Sequence, residues 1–195
     1  MKRSAQLKRD TRETKIDIKI NIDGVGKSSI NTGIEFFDHM LELFSRHSKI
    51  DLTIRAKGDL GVDHHHTIED VGITLGKALK KALGTKAGIR RYGHCMLPMD
   101  ESLVSVALDI SNRPFLVYGV DYGKKKIRNF DPQLIEEFLY AFVINSGITL
   151  HVSLLYGKNV HHIFEAVFKG LAKAVEMAVG IDKREKGVPS TKGLL

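Results

Sequence analysis

A single cysteine, Cys95, stands in a chain of 195 residues. One thiol excludes an intrachain disulfide framework and points to a reducing compartment, expected to be the cytoplasm. No apolar run approaches the roughly 20 residues that span a bilayer, so no membrane partner is expected. The opening residues Met1-Lys2-Arg3-Ser4-Ala5-Gln6 are basic but lead into no apolar core, and no signal peptide is visible. Positive charge is in excess, at a formal +7, but it is not gathered. Only Lys124-Lys125-Lys126 forms a run. The excess suits nucleic acid, a membrane surface or anionic small substrates. Its scatter argues against an extended nucleic-acid surface, and no nucleic-acid partner is expected. What remains, 43% hydrophobic and 27% charged residues, is the composition of a globular protein with a real core. The length fits one domain or two small fused halves.

The chain does contain a repeated stretch. His65-His66-Thr67-Ile68-Glu69 and His161-His162-Ile163-Phe164-Glu165 share the layout His-His-x-x-Glu. Over His65–Gly84 and His161–Gly180 the agreement continues: Val71 meets Val167, Leu75 meets Leu171, Ala78 meets Ala174, and Gly84 meets Gly180. That is an internal duplication. On a helix, residues four apart share a face, so each motif offers an imidazole and a carboxylate to one cation. The second histidine points about 100° away and would serve a different cation. Two such motifs suggest two metals, with ligands shared between halves or subunits. The alternative is a pair of solvated polar helix N-termini, where Glu suits the helix dipole.

Alternation of Ile16, Ile18, Ile20 and Ile22 predicts a strand over Thr14–Ile22, turned by Asp23-Gly24. Ile34, Phe37, Leu41 and Phe44 at helical spacing predict a helix over Gly33–His47. A strand through Ile50, Leu52 and Ile54, a loop at Lys57–Gly61 and the first motif helix follow. The second half repeats this. A strand over Ser102–Ile110, a turn at Ser111–Pro114 and a returning strand from Phe115 precede a helix over Asp131–Asn145. A strand over Thr149–Leu155 and the second motif helix complete it. The pattern predicts a duplicated α+β protein with halves 1–90 and 91–195. Each half is a small mixed sheet with two helices on one face, and the helices pack between the two sheets.

Several residues stay ambiguous on local grounds. Glu13, just before the first strand, is a solvated edge residue or one that reaches into a site. His39 and His47 lie on an amphipathic helix, where a lone histidine is usually structural. His39 gains interest because its helix belongs to the same duplicated unit as His65. The tail Gly187-Val188-Pro189-Ser190-Thr191-Lys192-Gly193 is a mobile terminus or a grip for phosphate.

Taken together, Arg12-Glu13-Thr14, Phe36-Phe37-Asp38-His39-Met40-Leu41, Asp63-His64-His65-His66-Thr67-Ile68-Glu69-Asp70, Pro98-Met99-Asp100-Glu101, Asn112-Arg113-Pro114, His161-His162-Ile163-Phe164-Glu165-Ala166 and Pro189-Ser190-Thr191-Lys192-Gly193 resemble the imidazoleglycerol-phosphate dehydratase family. They cover nearly the whole chain in the family's order, and the combination is specific where no single motif is. The resemblance implies a ribosomal protein S5 domain 2-like fold for each half. It implies dehydration of D-erythro-imidazole glycerol phosphate to imidazole acetol phosphate in histidine biosynthesis, with two Mn2+ per active site. It also implies a homo-oligomer of twenty-four subunits with active sites between them. Carried over by position, His39, His65, His66, Glu69, His161, His162 and Glu165 look like metal ligands. Glu13, His39, His47, Arg91, Arg113, Lys169, Ser190, Thr191 and Lys192 look like substrate contacts. The chain departs from the family at Glu137, the repeat counterpart of His39, where many members carry histidine. A carboxylate still suits manganese.

The chemistry fits those assignments. A carboxylate near the reacting carbon is needed as base, and Glu13 is the candidate. Arg91 and Arg113 offer bidentate forks to a phosphate, and Lys192 a point charge. Two rivals remain at this level: a dinuclear metal hydrolase, since paired metals also activate water, and an RNA-binding or structural protein, prompted by the positive charge.

Overall fold

The structure, a computed structural model, describes residues 3–123 and 126–195. Lys124 and Lys125 of the basic run lie outside the described residues. The first half contributes β1 (Ser4–Asp10), β2 (Thr14–Asn21), β3 (Ser28–Asn31), α1 (Glu35–Ser48), β4 (Asp51–Gly58) and α2 (His65–Leu83). The second contributes β5 (Tyr92–Met99), β6 (Ser102–Asp109), β7 (Phe115–Gly119), α3 (Leu134–Ser146), β8 (Thr149–Tyr156) and α4 (Val160–Val179). Each half forms one four-stranded mixed sheet, in the orders β1-β2-β4-β3 and β5-β6-β8-β7. This is the expected duplicated α+β architecture, with three strands added to those the sequence pattern predicts. One pairing differs from expectation. β7 does not return beside β6; it lies parallel to β8, with Phe115 opposite Thr149. β6 instead pairs antiparallel with β5 on one side and β8 on the other.

The duplication is legible in the core. Ile16, Ile18, Ile20 and Ile22 are buried on β2 and just beyond it, as Val104, Val106, Leu108 and Ile110 are on β6 and just beyond it. Ile50, Leu52 and Ile54 correspond in the same way to Ile148, Leu150 and Val152. Residues alternate across a strand, so each set presents one apolar face to the helices. The helices fill the space between the sheets: α2 packs on α3 and α1 on α4, while α2 also covers β1 and β2 and α4 covers β5 and β6. The α2–α3 approach depends on two glycines. A Cβ at Gly72 would come within 2.8 Å of the Phe138 carbonyl oxygen, and one at Gly76 within 2.6 Å of that of Phe142. Because helices of opposite halves meet, side chains far apart in sequence share one groove. Among the described residues, no helix is long and apolar enough to cross a membrane.

Candidate metal centre and substrate site

Each His-His-x-x-Glu motif begins where an Asx side chain fixes the helix entry. The Asn159 side chain caps α4 by accepting from the His161 backbone N–H at 3.0 Å. At the equivalent place Asp63 Oδ1 accepts from the His65 N–H at 2.7 Å. These bonds satisfy donors that a helix N-terminus leaves open. On α1 the entry is set by Asp38, whose Oδ1 accepts from Thr32 N–H at 2.8 Å and from Thr32 Oγ1 at 2.6 Å. His39 follows directly on the next position.

The α1–α4 contact brings three donors together. His39 Nε2 and His161 Nε2 each lie 3.1 Å from the same oxygen, Glu165 Oε1. One ligand atom from each of the three residues fits within 4.8 Å of the others. The second oxygen, Glu165 Oε2, accepts from Lys169 Nζ at 2.6 Å. Burial alone would push Glu165 up, but Lys169, His39 and His161 outweigh it and hold its carboxyl at about 2. Glu165 is therefore an anion at neutral pH. Two imidazole nitrogens and one carboxylate oxygen form a donor set that suits a divalent transition metal. His39 and His161 also line an open pocket of ≈ 650 Å³ with Phe36, His64 and Phe130, enough for a small ligand.

The first motif is arranged differently. Among the described residues, neither His65, Glu69 nor Glu137 joins that cluster, and the Glu69 and Glu137 side chains make no hydrogen bond or ion pair. His66 is engaged through Nδ1, which lies 3.0 Å from Asp59 Oδ2 and 3.9 Å from Glu13 Oε2. The Asp59 hydrogen bond, with Glu13 and Asp63 adding charge, raises the His66 pKa. His162 Nδ1 lies 2.7 Å from Glu101 Oε2, and that bond raises the His162 pKa. Asp59 was not singled out by sequence, and Glu101 stood only within the motif Pro98-Met99-Asp100-Glu101, with no role assigned to it. The available signal was position: Glu101 precedes Ser102 of β6 as Glu13 precedes Thr14 of β2.

Candidates for the phosphate end lie on the second half. Arg91 Nε and Nη2 donate to the two oxygens of Asp109 at 2.7 and 3.0 Å, which raises the Arg91 pKa. Its Nη1 donates to the Pro189 carbonyl at 2.8 Å. Arg113 lies 3.9 Å from the same Asp109 and is well exposed. The tail is thus tied down beside Arg91. Gly88 N–H also donates to the Gly187 carbonyl at 2.8 Å. Ser190 Oγ accepts from the Lys192 N–H at 3.2 Å, and the Thr191 and Lys192 side chains face solvent. Lys169, expected at substrate, is occupied by Glu165. His47, on α1, faces Lys169 and Lys173; burial and those cations lower its pKa.

The family model of imidazoleglycerol-phosphate dehydratase matches residues 32–175. The chain belongs to the imidazoleglycerol-phosphate dehydratase family. It is 57% identical over 194 residues to the enzyme of that name from Nitrobacter hamburgensis, covering 99% of this chain and 98% of the relative. It is 56% identical to that from Methylorubrum extorquens, covering 99% and 100%. The crystal structure of the Staphylococcus aureus enzyme superimposes with a TM-score of 0.84 at 40% identity, over 92% of this chain and 99% of that one. A Pyrococcus furiosus structure in complex with (S)-C348 gives 0.84 at 38% identity, over 97% and 100%. The chain is accordingly an enzyme, a dehydratase of the hydro-lyase class.

Proposed function

We propose that this chain dehydrates D-erythro-imidazole glycerol phosphate to imidazole acetol phosphate in histidine biosynthesis, in the cytoplasm, with two manganese ions per active site. The observation that carries the reading is the meeting of His39, His161 and Glu165, three donors from opposite halves held within 4.8 Å. A bound divalent ion would supply a template for the imidazole and electrostatic stabilisation of charge that develops on it. His39, His161 and Glu165 would hold one such ion. His65, His66, Glu69, Glu137 and His162 would supply the remaining ligands.

The chain's own groups have separable tasks in this reading. The hydroxyl next to the imidazole leaves, and a proton is lost from the neighbouring carbon to give an enol, which becomes the ketone. Glu13 is the group proposed to take that carbon-bound proton; it is about half exposed beside His66, open to a ligand. Arg91, Arg113, Ser190, Thr191 and Lys192 would hold the phosphate away from the metals, with Asp109 orienting both arginines. Fork-shaped guanidinium donors suit that task.

We infer further that the active site is completed between subunits of a large homo-oligomer, a twenty-four-subunit particle. First-half donors that stand outside the His39–His161–Glu165 cluster, Glu69 among them, would meet the second-half cluster of a neighbour. Phe115, Tyr140 and Tyr156, at 62, 56 and 62% exposure, provide apolar surface for such contacts. The deciding experiment follows imidazole acetol phosphate formed from imidazole glycerol phosphate, with and without added manganese. Turnover that needs the metal supports the proposal; turnover unchanged by exhaustive metal removal refutes the metal assignment.

A further inference from the structure

Duplication makes Glu13 and Glu101 counterparts, yet the two carboxylates are engaged differently. Glu13 stands 3.9 Å from His66 Nδ1, with Asp59 interposed at 3.0 Å. Glu101 is itself the partner of His162 Nδ1, at 2.7 Å. Its other oxygen, Oε1, accepts three bonds: from Ser102 Oγ at 3.0 Å, from Lys158 N–H at 3.2 Å and from Asn159 N–H at 2.8 Å. The carboxylate is clamped on one side and turned to the imidazole on the other.

We propose that Glu101 is the positioning carboxylate of the second half-site, holding His162 by Nδ1–H so that Nε2 presents its lone pair to a metal. Asp59 performs this task for His66, which leaves Glu13 unencumbered for chemistry. The proposal rests on the reading of His162 as a metal ligand. An ionised carboxylate only accepts, so Nδ1 must carry the proton, and in the neutral ring Nε2 is bare. On the Nε2 side Asn159 Nδ2, a donor only, approaches at 3.4 Å, within hydrogen-bond reach, while the acceptor Asp100 Oδ2 stands at 3.8 Å, beyond it; that agrees with a lone pair on Nε2. Metal-bound histidines commonly have their second nitrogen fixed by an outer carboxylate, and removing that partner weakens metal binding.

The clamp makes a sharp test. In Glu101→Gln the three donors around Oε1 keep the amide oxygen on their side, so the amide NH2 faces His162. Nδ1 must then accept, the proton moves to Nε2, and that nitrogen can no longer ligate. Manganese affinity is read by competition with a chelator, on the full chain. Thermal unfolding is read on the metal-free protein. Glu101→Gln is expected to weaken manganese by roughly 10–100-fold, the effect typical of a lost outer partner, while the metal-free Tm stays near wild type. Glu101→Asp, which keeps the acceptor, should recover part of the affinity. Ser102→Ala, which removes a bond to Oε1 only, should leave affinity unchanged even where it lowers Tm. Glu101→Gln with wild-type affinity, beside a His162→Ala variant that has lost it, would reduce Glu101 to a helix cap and overturn the proposal. His162→Ala with wild-type affinity would overturn the ligand reading underneath and the proposal with it. Should Glu101→Gln fail to fold, Glu101→Asp and Ser102→Ala decide: equal losses of affinity in both would mean capping and overturn the proposal.

Discussion

The two halves share a core and differ in what stands on it. Buried positions correspond strand for strand, from Ile16 and Val104 to Ile54 and Val152. The site positions have diverged. Glu165 is held by His39, His161 and Lys169, whereas its counterpart Glu69 has no such partner among the described residues. One substitution accounts for much of this: the place of Lys169 on α4 is taken on α2 by Ile73. With no cation one turn away, Glu69 is left half-exposed and unpaired. The partner helix differs too, with Glu137 on α3 where α1 carries His39. The second-half motif is therefore already joined to its partners in the single chain, through His39 and Lys169; among the described residues, the first-half Glu69 is not. Packing tolerates little change in either half, while exposed ligands are free to specialise.

The largest expected effect comes from breaking each half-site in turn. Wild-type protein loaded with manganese should plateau at about two ions per chain, the count of a two-metal site. Glu165→Ala and Glu69→Ala should each lower that plateau and abolish measurable turnover. Elemental analysis decides. If Glu69→Ala keeps the full complement, the first half holds no metal and the two motifs are alike only in sequence.

Glu13 and Glu101 sharpen the contrast at the next level. Glu13→Gln should reduce turnover by roughly a hundredfold or more, as loss of a general base does, with metal affinity near wild type. That is the opposite pattern to the one expected at Glu101. Steady-state kinetics beside chelator competition separates them, and near-normal turnover in Glu13→Gln would return that residue to a solvated strand edge.

The groups proposed to hold the phosphate, Arg91, Arg113 and the tail, all lie in the second half. Arg91 bridges Asp109 and the Pro189 carbonyl, so the tail and the arginine pair should act together. Deleting 189–195 should raise KM for the phosphorylated substrate by about tenfold or more, the worth of one or two charge-assisted hydrogen bonds, with unfolding of the metal-free protein little changed. An unchanged KM would make the tail a tethered terminus and nothing more.

What sequence could reveal follows from which contacts are local. The long helices and central strands were legible because their burial is periodic within one segment. The strands it did not reveal, β1, β3 and β5, all lie at sheet edges or pair on one side only. β1 buries only halfway, through Ala5, Leu7 and Arg9, and β3 has four residues. β5 carries Pro98, which argues against a strand except at an edge. The candidate ligands were legible by motif, helped by family resemblance. The meeting of His39 with Glu165, 126 residues apart, was not, because it depends on α1 crossing α4. The outer carboxylates carried no role in the sequence reading. Glu101 stood only within a family motif, its partner His162 lying 61 residues away. Asp59 and Asp109 lie seven and eighteen residues from His66 and Arg91, in a loop and on a strand whose spacing does not mark the pairing.

The smallest expected effect is a difference in acid stability between the half-sites without metal. Glu165 in the folded chain titrates at about 2, below its ordinary value of 4.5. A carboxyl with a depressed folded pKa contributes stability that is fully present above the unfolded value and is lost as pH falls through the folded one. The Glu165 contribution should therefore be complete above about pH 4.5 and fade toward about pH 2. His66 and His162 act in the other direction. Their folded pKa values are raised, so their contribution is full below 6.5 and is lost as pH rises through the folded values. The two effects overlap between 4.5 and 6.5, where the metal-free fold should gain from both. Glu165→Gln should lower stability overall, because Lys169 loses its carboxylate, and should also flatten the fall between pH 4.5 and 2. Glu69→Gln should leave that slope as in wild type, since the Glu69 side chain makes no ion pair or hydrogen bond among the described residues. Urea midpoints measured across that pH range on metal-free protein give the slopes directly. Equal slopes in wild type and Glu165→Gln would mean that the His39–Glu165–His161 cluster forms only around its ion, and that the two halves are alike until the metal arrives.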